Sequence, residues 1–374
     1  MDFVEYAGKQ ILAEAGLPIP QGIYCRTAEE AAAAVDRLGP SAIKAQVPIG
    51  KRGKVGGIKL VDDADAARAA AASILSMQIG EYDVAGLLVE QKAPIRREFY
   101  AAVMNDMSAC SPLVLFSAEG GMDIEELADA RPEAICRIPV DIEQGLARSQ
   151  VVAALTGMQL DGCVDAIADL LARLYDVYLE RDAELVEINP LVLLEDDSLV
   201  ALDCKLRIDD AAAYRQGDYV ARSTPEPCST LEARGADLGF KFIELDGEVG
   251  LLANGAGLTM TTMDVISHAG GRPANFLEIG GEAYTKATPA LELVLSNPRV
   301  KSLIVNFCGA FARTDVMTEG VIEAWETLNP QVPVFFSIHG TGEDEAVELL
   351  QARLGITPYD RMEDAVQAAV EAAQ

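Results

Sequence analysis

The strongest constraint on the fold is a unit that recurs between residues 250 and 354. It consists of an apolar run of strand length, a turn that contains glycine, and a segment with apolar residues at helical spacing. The predicted strands lie at 250–253, 274–277, 301–306 and 332–338. Such alternation is typical of a doubly wound parallel sheet. Anions bind where the strands end and the helices begin, so we expect a functional edge that includes Asn254, the turn 309–312 and His339.

The residues before this region follow a less regular pattern. Segments with helical spacing and segments with strand composition are mixed, and antiparallel neighbours are expected, which predicts an α+β domain. The predicted helices lie at 2–15, 28–38, 66–78, 141–155 and 161–180. A polar passage with two prolines begins at Ser223 and predicts a linker. We therefore expect a first domain at 1–225, a linker at 226–238 and a second domain at 239–374.

A glycine-rich passage at 47–57 carries three cations, Lys51, Arg52 and Lys54, in a chain whose formal net charge is −29. Glycine allows backbone amides to approach a phosphate closely, and the cations would neutralise its charge. The passage lacks the GxxxxGK[ST] pattern of a Walker loop. A basic hairpin that only faces solvent is the alternative. Lys44, on the preceding predicted strand, favours phosphate binding.

Two strands around an acidic turn at 195–197 predict a hairpin. A three-residue loop would set Asn189 opposite Asp203 and Glu187 opposite Lys205, and a loop of another length would spoil that register. An amide oxygen and a carboxylate are ligands that Mg²⁺ prefers. The hairpin therefore predicts a magnesium site, and an ordinary hairpin with a polar face is the alternative.

Two further carboxylates lie on predicted antiparallel strands. Glu90 follows the apolar run at 86–89, and Glu98 begins the next strand. A carboxylate at a strand end can accept hydrogen bonds from an adenine amine or a ribose hydroxyl, although most such residues are simply exposed.

Composition narrows the possible functions and the compartment. The acidic net charge argues against nucleic-acid and anionic-membrane partners, because both need surplus Lys and Arg. No apolar run approaches about 18 residues, and the N-terminus lacks a signal-peptide pattern. Seven isolated cysteines indicate free thiols in a reducing cytoplasm. The only histidines are His268 and His339, so this chain has few places for a catalytic histidine.

Several short stretches occur in a characteristic order and spacing along the chain. Among them, Glu-Ile-Asn-Pro occupies 187–190 and Asn-Gly-Ala-Gly-Leu occupies 254–258. The stretches lie at 5–10, 16–18, 44–47, 52–54, 56–57, 119–121, 187–190, 202–203, 205–206, 254–258, 262–264, 274–277, 280–281, 285–286 and 305–306. Together they resemble the β subunit of succinyl-CoA synthetase and its ADP-forming acyl-CoA ligase relatives, essentially from end to end.

The resemblance implies an N-terminal ATP-grasp domain followed by a flavodoxin-like CoA-ligase domain, and hence a cytoplasmic acid–thiol ligase. In such enzymes ATP, with Mg²⁺, phosphorylates a histidine of the α subunit, the phosphate passes to the carboxylic acid, and CoA displaces it. The α subunit also carries the CoA site and would join this chain as αβ or α2β2. The scarcity of histidine in this chain agrees with a phosphorylated histidine that belongs to the α subunit.

The resemblance also implies roles by position. The residues implied to bind the nucleotide are Lys44, Lys51, Arg52, Gly53, Glu90, Ala93 and Glu98. Asn189 and Asp203 would bind Mg²⁺, and Glu187 would contact the phosphohistidine. The residues implied to hold the acid and the phosphohistidine are Asn254, Gly309, Ala310, Phe311 and Ala312, with Arg313 just behind them.

Three positions depart from the family pattern. Lys51 replaces the second glycine of Gly-Gly-Arg-Gly, and Gly-Ala-Phe-Ala at 309–312 replaces Gly-Gly-Ile-Val. At the strand end, Phe-Ser-Ile-His-Gly at 336–340 replaces Val-Arg-Leu-Glu-Gly, so an arginine and a glutamate of the family pattern are missing. These departures leave succinate, malate and other short acids open as substrates. GTP-specific relatives carry a glutamine near position 20, so the resemblance implies that Pro20 favours ATP over GTP. A non-catalytic ATP-sensing partner subunit is the alternative function.

Overall fold

The computed structural model describes residues 1–279 and 283–374, and only the backbone of residues 283–285. Gly280 and Gly281, which belong to the resemblance, lie outside the described residues. The chain divides into two compact units, Met1–Pro227 and Cys228–Gln374. In the described part of the chain, no helix is long and apolar enough to cross a membrane.

The first unit is an α+β unit, as predicted. Its helices are α1 (Glu5–Glu14), α2 (Ala28–Leu38), α3 (Ala64–Leu75), α4 (Ile124–Ala130), α5 (Arg148–Leu155), α6 (Val164–Glu180) and α7 (Gly217–Val220). Its strands are β1 (Gly22–Cys25), β2 (Ser41–Ala45), β3 (Ile58–Val61), β4 (Gln78–Ile79), β5 (Tyr82–Asp83), β6 (Leu87–Gln91), β7 (Ile95–Asp106), β8 (Ser111–Ser117), β9 (Ile135–Pro139), β10 (Ala183–Leu194), β11 (Leu199–Ala201) and β12 (Lys205–Ile208).

Two antiparallel sheets organise this unit. One has the order β1-β6-β2-β3, and the other has the order β11-β10-β7-β8-β9 with β12 also paired to β10. Apolar side chains of α2 and α3 form a core with the first sheet, and those of α1 and α6 form a core with the second. Helix α2 has the predicted bounds because Thr27 caps it by accepting a hydrogen bond from the Glu30 amide. Helix α5 starts later than predicted, since 142–147 forms a turn and coil that include Gly145 at φ +70°.

The second unit has the predicted doubly wound arrangement. Its helices are α8 (Thr230–Asp237), α9 (Ala256–His268), α10 (Ala283–Leu295), α11 (Thr314–Leu328), α12 (Glu343–Leu354) and α13 (Met362–Ala373). Its strands are β13 (Phe242–Glu244), β14 (Val249–Ala253), β15 (Asn275–Leu277), β16 (Ser302–Gly309) and β17 (Val334–Gly340). Strands β14, β16 and β17 pair in parallel, and helices cover both faces of the sheet.

Strand β15 joins the parallel sheet next to β14 in an irregular way. Parallel bridges connect Val249 with Pro273 and Ala253 with Glu278. Between them the buried Asn275 side chain accepts a hydrogen bond from the Leu251 amide and donates one to the Leu251 carbonyl. The side-chain amide thereby replaces a backbone pairing. Strand β13 pairs with β15 in antiparallel fashion, so the spatial order is β13-β15-β14-β16-β17.

The passage predicted as a linker at 226–238 is partly helical. Ser229 and Glu232 form a reciprocal capping box at the start of α8. The two prolines before it signalled a break in structure, but the Ser-x-x-Glu pattern that follows starts a helix. The functional division into domains at 1–225 and 239–374 stays a prediction.

Candidate functional site

A cavity of about 470 Å³ in the first unit brings together most of the predicted nucleotide and metal residues. Its walls come from the glycine-rich passage, the turn that follows β8, and the hairpin β10–β12. The predicted site residues that line it are Lys51, Arg52, Gly53, Glu187, Asn189 and Asp203. They come from positions as far apart as 51 and 203, so the fold rather than local sequence assembles the group.

The predicted register of the hairpin is confirmed. The Leu194 amide donates to the Ser198 carbonyl at 2.9 Å, and Glu187 pairs with Lys205. The ladder is interrupted between β11 and β12, and Asp203 lies in this interruption. There the Leu202 amide donates to the Pro190 carbonyl at 3.1 Å, which keeps the same register. Asn189 and Asp203 both line the cavity, as the magnesium prediction required.

Arg52 and Asp203, predicted to bind phosphate and metal, bind each other in the structure. Arg52 Nη2 lies 2.6 Å and 2.8 Å from the two carboxylate oxygens of Asp203. The same nitrogen lies 2.9 Å from Glu5 Oε2, and Arg52 Nη1 donates to the Ala45 carbonyl at 2.9 Å. Arg52 is 5% exposed. Ligand binding at either residue therefore requires an exchange of partners.

Lys51 lines the same cavity and is largely exposed. Its backbone is left-handed, with φ 63°, which suits the glycine of the family pattern better than lysine. Its Nζ lies 2.7 Å from Asp123, which also lines the cavity and caps α4. The hydrogen bond from Lys51 lowers the pKa of Asp123. The ion pair compensates for the unfavourable backbone and keeps a cation beside the cavity.

Asn189 is held by the turn that follows β8. Its Oδ1 accepts from the Gly121 amide at 3.0 Å, and its Nδ2 donates to the Met122 carbonyl at 3.0 Å. Gly121 has φ +70°, and a Cβ there would lie 2.0 Å from Glu98 Oε2. The turn therefore needs glycine, and it places the predicted Glu98 next to the Asn189 contact.

Glu187 lies on the wall of the cavity in a partly buried position. Burial raises its pKa, and the nearby Lys205 opposes this effect. The Tyr100 hydroxyl donates a hydrogen bond to Glu187 Oε2 at 3.4 Å. A carboxylate in this setting can accept a hydrogen bond from an arriving imidazole.

The other predicted nucleotide residues do not line the described cavity. Lys44 is buried, with Nζ 2.8 Å from Glu5, 2.6 Å from Glu90 and 2.6 Å from the Leu202 carbonyl. Glu90 is buried with it, and Ala93 is partly buried between β6 and β7. Sequence reasoning missed the role of Glu5, although this residue lies in a stretch that carried the family resemblance.

In the second unit, the predicted substrate residues lie at the carboxyl edge of the parallel sheet. The Asn254 side chain donates to the Cys308 carbonyl at 2.9 Å and accepts from the Cys308 amide at 2.8 Å. The turn at 309–312 follows and leads into α11, with the Phe311 side chain fully exposed. His339 pairs in register with Cys308, and its Nδ1 lies 3.4 Å from Glu343.

Comparison with known proteins supports this arrangement. Residues 2–193 match the family model of the ATP-grasp domain, and residues 252–370 match that of CoA-ligase. Over 378 residues, the chain is 39% identical to the beta subunit of ADP-forming succinate–CoA ligase from Natronomonas pharaonis, covering 100% of this chain and 99% of that protein. It is 39% identical over 355 residues to the beta subunit of GDP-forming succinate–CoA ligase from Thermus thermophilus, covering 94% of each.

A solved structure shares the fold over nearly the whole chain. ATP citrate lyase from Methanothrix soehngenii, in complex with citrate and coenzyme A, matches with a TM-score of 0.77 at 22% identity and covers 99% of both chains. The fold and the site thus define a ligase chain built from an ATP-grasp domain and a CoA-ligase domain. Within that class, the chain belongs to the family of succinate–CoA ligase beta subunits.

Proposed function

We propose that this chain is the nucleotide-binding β subunit of an ADP-forming acyl-CoA ligase. It would act with an α subunit that carries the phosphohistidine and the CoA site, as αβ or α2β2. The observation that carries the proposal is the cavity that collects Lys51, Arg52 and Gly53 together with Glu187, Asn189 and Asp203. Cations for phosphate and oxygen donors for a metal face one space, as transfer of a nucleotide phosphate requires.

The residues present fit Mg²⁺. Asn189 Oδ1 accepts one hydrogen bond in the structure and has a second lone pair, and Asp203 already binds a cationic side chain. No group of three or more His, Cys, Asp or Glu side chains in the described residues could hold a metal ion. We therefore assign the remaining ligands to nucleotide phosphate and water. When bound, Mg²⁺ would neutralise phosphate charge.

The roles of the other residues are carried over from the family resemblance. Lys51, Arg52 and the Gly53 amide would hold the phosphates, with Lys44 behind them. Glu90, Ala93 and Glu98 are assigned to the adenosine side. Glu187 would accept a hydrogen bond from the phosphohistidine as it reaches the nucleotide.

The acid site is assigned to the second unit. Asn254 and the turn 309–312 precede the 15-residue helix α11, whose first amides and dipole favour an anion by roughly 0.3–2 kcal/mol. The natural acid is a short carboxylic acid such as succinate or malate. The nucleotide is ATP rather than GTP, as Pro20 favours. We assign the complex to the cytoplasm, where its seven free thiols would be stable.

The test is turnover by the purified complex of this chain with its α subunit. We expect continued ADP formation only when ATP, Mg²⁺, CoA and a suitable acid are all present. ATP and Mg²⁺ alone should release one ADP for each labelled phosphate that appears on the α chain. Asp203→Ala should abolish turnover. Asp197→Asn should not, because Asp197 lies on the same hairpin but pairs with Arg96 away from the cavity.

The panel of acids should include succinate, malate and citrate, each with ATP and with GTP. Nucleotide binding without turnover on any acid would instead support the alternative function, a non-catalytic ATP-sensing subunit. Failure to bind either nucleotide would overturn the proposal.

A further inference from the structure

Helix α1 carries two buried charged residues one turn apart. Glu5 is 1% exposed and Lys9 is 2% exposed, and Lys9 Nζ lies 2.7 Å from Glu5 Oε1. Burial of charges is costly unless they are paired and hydrogen-bonded. The partners of these two residues are therefore informative, and they include predicted ligands from three other segments of the first unit.

Glu5 joins two predicted phosphate-binding residues. Its Oε1 lies 2.8 Å from Lys44 Nζ, and its Oε2 lies 2.9 Å from Arg52 Nη2. Burial alone would raise the pKa of Glu5, but Lys44, Lys9 and Arg52 lower it well below its usual range. One ionised carboxylate thus fixes the ammonium of Lys44 on β2 and the guanidinium of Arg52 in the glycine-rich passage.

Lys9 contacts both a residue assigned to the adenosine side, Glu90, and the backbone next to the proposed metal ligand. Its Nζ lies 2.5 Å from Glu90 Oε1 on β6 and 2.7 Å from the Leu202 carbonyl. With Glu5, these contacts occupy the three donors of the ammonium group. Leu202 immediately precedes Asp203 in the interruption between β11 and β12. Its amide donates to the Pro190 carbonyl, and its carbonyl accepts from Lys44 as well as from Lys9. Lys9 therefore helps to hold the backbone that presents the proposed metal ligand.

We infer that Glu5 and Lys9 are positioning residues of the nucleotide site. Glu5 orients Lys44 and Arg52 for phosphate, and Lys9 holds Glu90 and the backbone beside Asp203. The inference rests on the proposed function. The charges of the network are balanced, because three cations face three carboxylates. The cations are Lys9, Lys44 and Arg52, and the carboxylates are Glu5, Glu90 and Asp203. When Lys44 and Arg52 turn towards phosphate, Lys9 remains as the counter-ion of Glu5.

An ion network with only a structural role is the competing explanation. Replacing a whole buried ion pair by neutral residues often leaves stability unchanged or improved, whereas removing one partner destabilises strongly. The double variant Glu5→Gln/Lys9→Met leaves Lys44 and Arg52 balanced by Glu90 and Asp203. It should therefore be more stable than either single variant. A structural role predicts that activity recovers with stability, whereas a positioning role predicts that it does not.

The experiment compares the wild-type αβ complex with the two single variants and the double variant. Steady-state kinetics give KM separately for ATP, Mg²⁺, CoA and the acid. Glu14→Gln is the matched control, because Glu14 also lies on α1 and pairs with an arginine, Arg222, but is exposed. Thermal unfolding and assembly with the α subunit report whether each variant folds.

We expect the folded double variant to raise KM for ATP and for Mg²⁺ at least about tenfold, with KM for CoA and the acid within about twofold of wild type. Glu14→Gln should match wild type throughout. Unchanged KM for ATP and Mg²⁺ in the double variant would overturn the inference, as would an equal rise in all four constants. Absence of nucleotide-dependent turnover in the wild-type complex would instead count against the proposed function.

Discussion

Replacing Asp203 by asparagine should change nucleotide affinity in opposite directions with and without Mg²⁺. In the structure Arg52 and Asp203 bind each other, so the guanidinium is not free for phosphate and the carboxylate is not free for a metal. Nucleotide phosphate must compete with Asp203 for the guanidinium of Arg52. Asp203→Asn removes that competing charge and, at the same time, removes the proposed carboxylate ligand of the metal.

The size of the effect follows from the contact. Two oxygens of Asp203 lie 2.6 Å and 2.8 Å from Arg52 Nη2, and a hydrogen bond to a charged group contributes about 1.5–3 kcal/mol net. Asp203 is 29% exposed, so solvent screens the pair and the lower end applies. About 1.5 kcal/mol corresponds to roughly a tenfold change in affinity. Metal-free ATP should therefore bind Asp203→Asn about tenfold more tightly than wild type.

Isothermal titration calorimetry of a non-hydrolysable ATP analogue into the purified αβ complex, without CoA or acid, measures both affinities without phosphoryl transfer. One series contains EDTA and the other contains excess Mg²⁺. The ratio of the two affinities should fall in Asp203→Asn, because binding strengthens in EDTA and weakens in Mg²⁺. Asp197→Asn, which removes the same charge from the turn of the hairpin, should keep the wild-type ratio. Weaker binding of Asp203→Asn under both conditions would refute the exchange of partners.

Three further predictions follow from local contacts. Lys51→Gly should leave the midpoint of urea unfolding close to that of wild type, because relief of the left-handed backbone offsets loss of the exposed ion pair to Asp123. It should also make ATP binding less sensitive to salt, and calorimetry at two salt concentrations that shows equal sensitivity would contradict this. Asn275→Ala should destabilise the second unit by roughly 2–4 kcal/mol in urea titrations, because two hydrogen-bonding groups of β14 lose their partner; a loss below about 1 kcal/mol would count against it. Cys25 is buried with its pKa raised to about 11, so Ellman's reagent at pH 8 should modify the exposed Cys110 and leave Cys25 intact unless the protein is denatured.

The parts of the fold that sequence predicted well are those fixed by short-range periodicity. Alternation of strand, glycine turn and helix identified the parallel sheet, because its strands are buried on both faces and need crossover helices. The register of the hairpin followed from its loop length, which placed Glu187 opposite Lys205. The mixed strands of the first unit gave its class but not the order of its sheets, since that order depends on contacts distant in sequence.

The sequence could not predict the contacts between side chains that meet only after the chain has folded. Lys44 and Arg52 looked like free cations, yet the structure ties both to Glu5. Helical spacing alone does not show that a charged residue is buried. From the sequence, Glu5 and Lys9 look like exposed polar positions of an amphipathic helix. Asn275 was predicted only as part of a strand, because nothing in its sequence shows that its amide replaces a backbone partner.

The departures from the family pattern differ in their physical consequences. Lys51 carries a backbone conformation that favours glycine, but its contact with Asp123 offsets that cost and keeps a cation in the cavity lining. The cation needed for the proposed phosphate contact is therefore kept at this position. Phe311 is fully exposed, so its ring contributes little to the stability of the second unit. Any effect of Phe311 on activity would come through what binds at that turn. We therefore expect departures from the family's activity to arise at the proposed acid site rather than at the proposed nucleotide site.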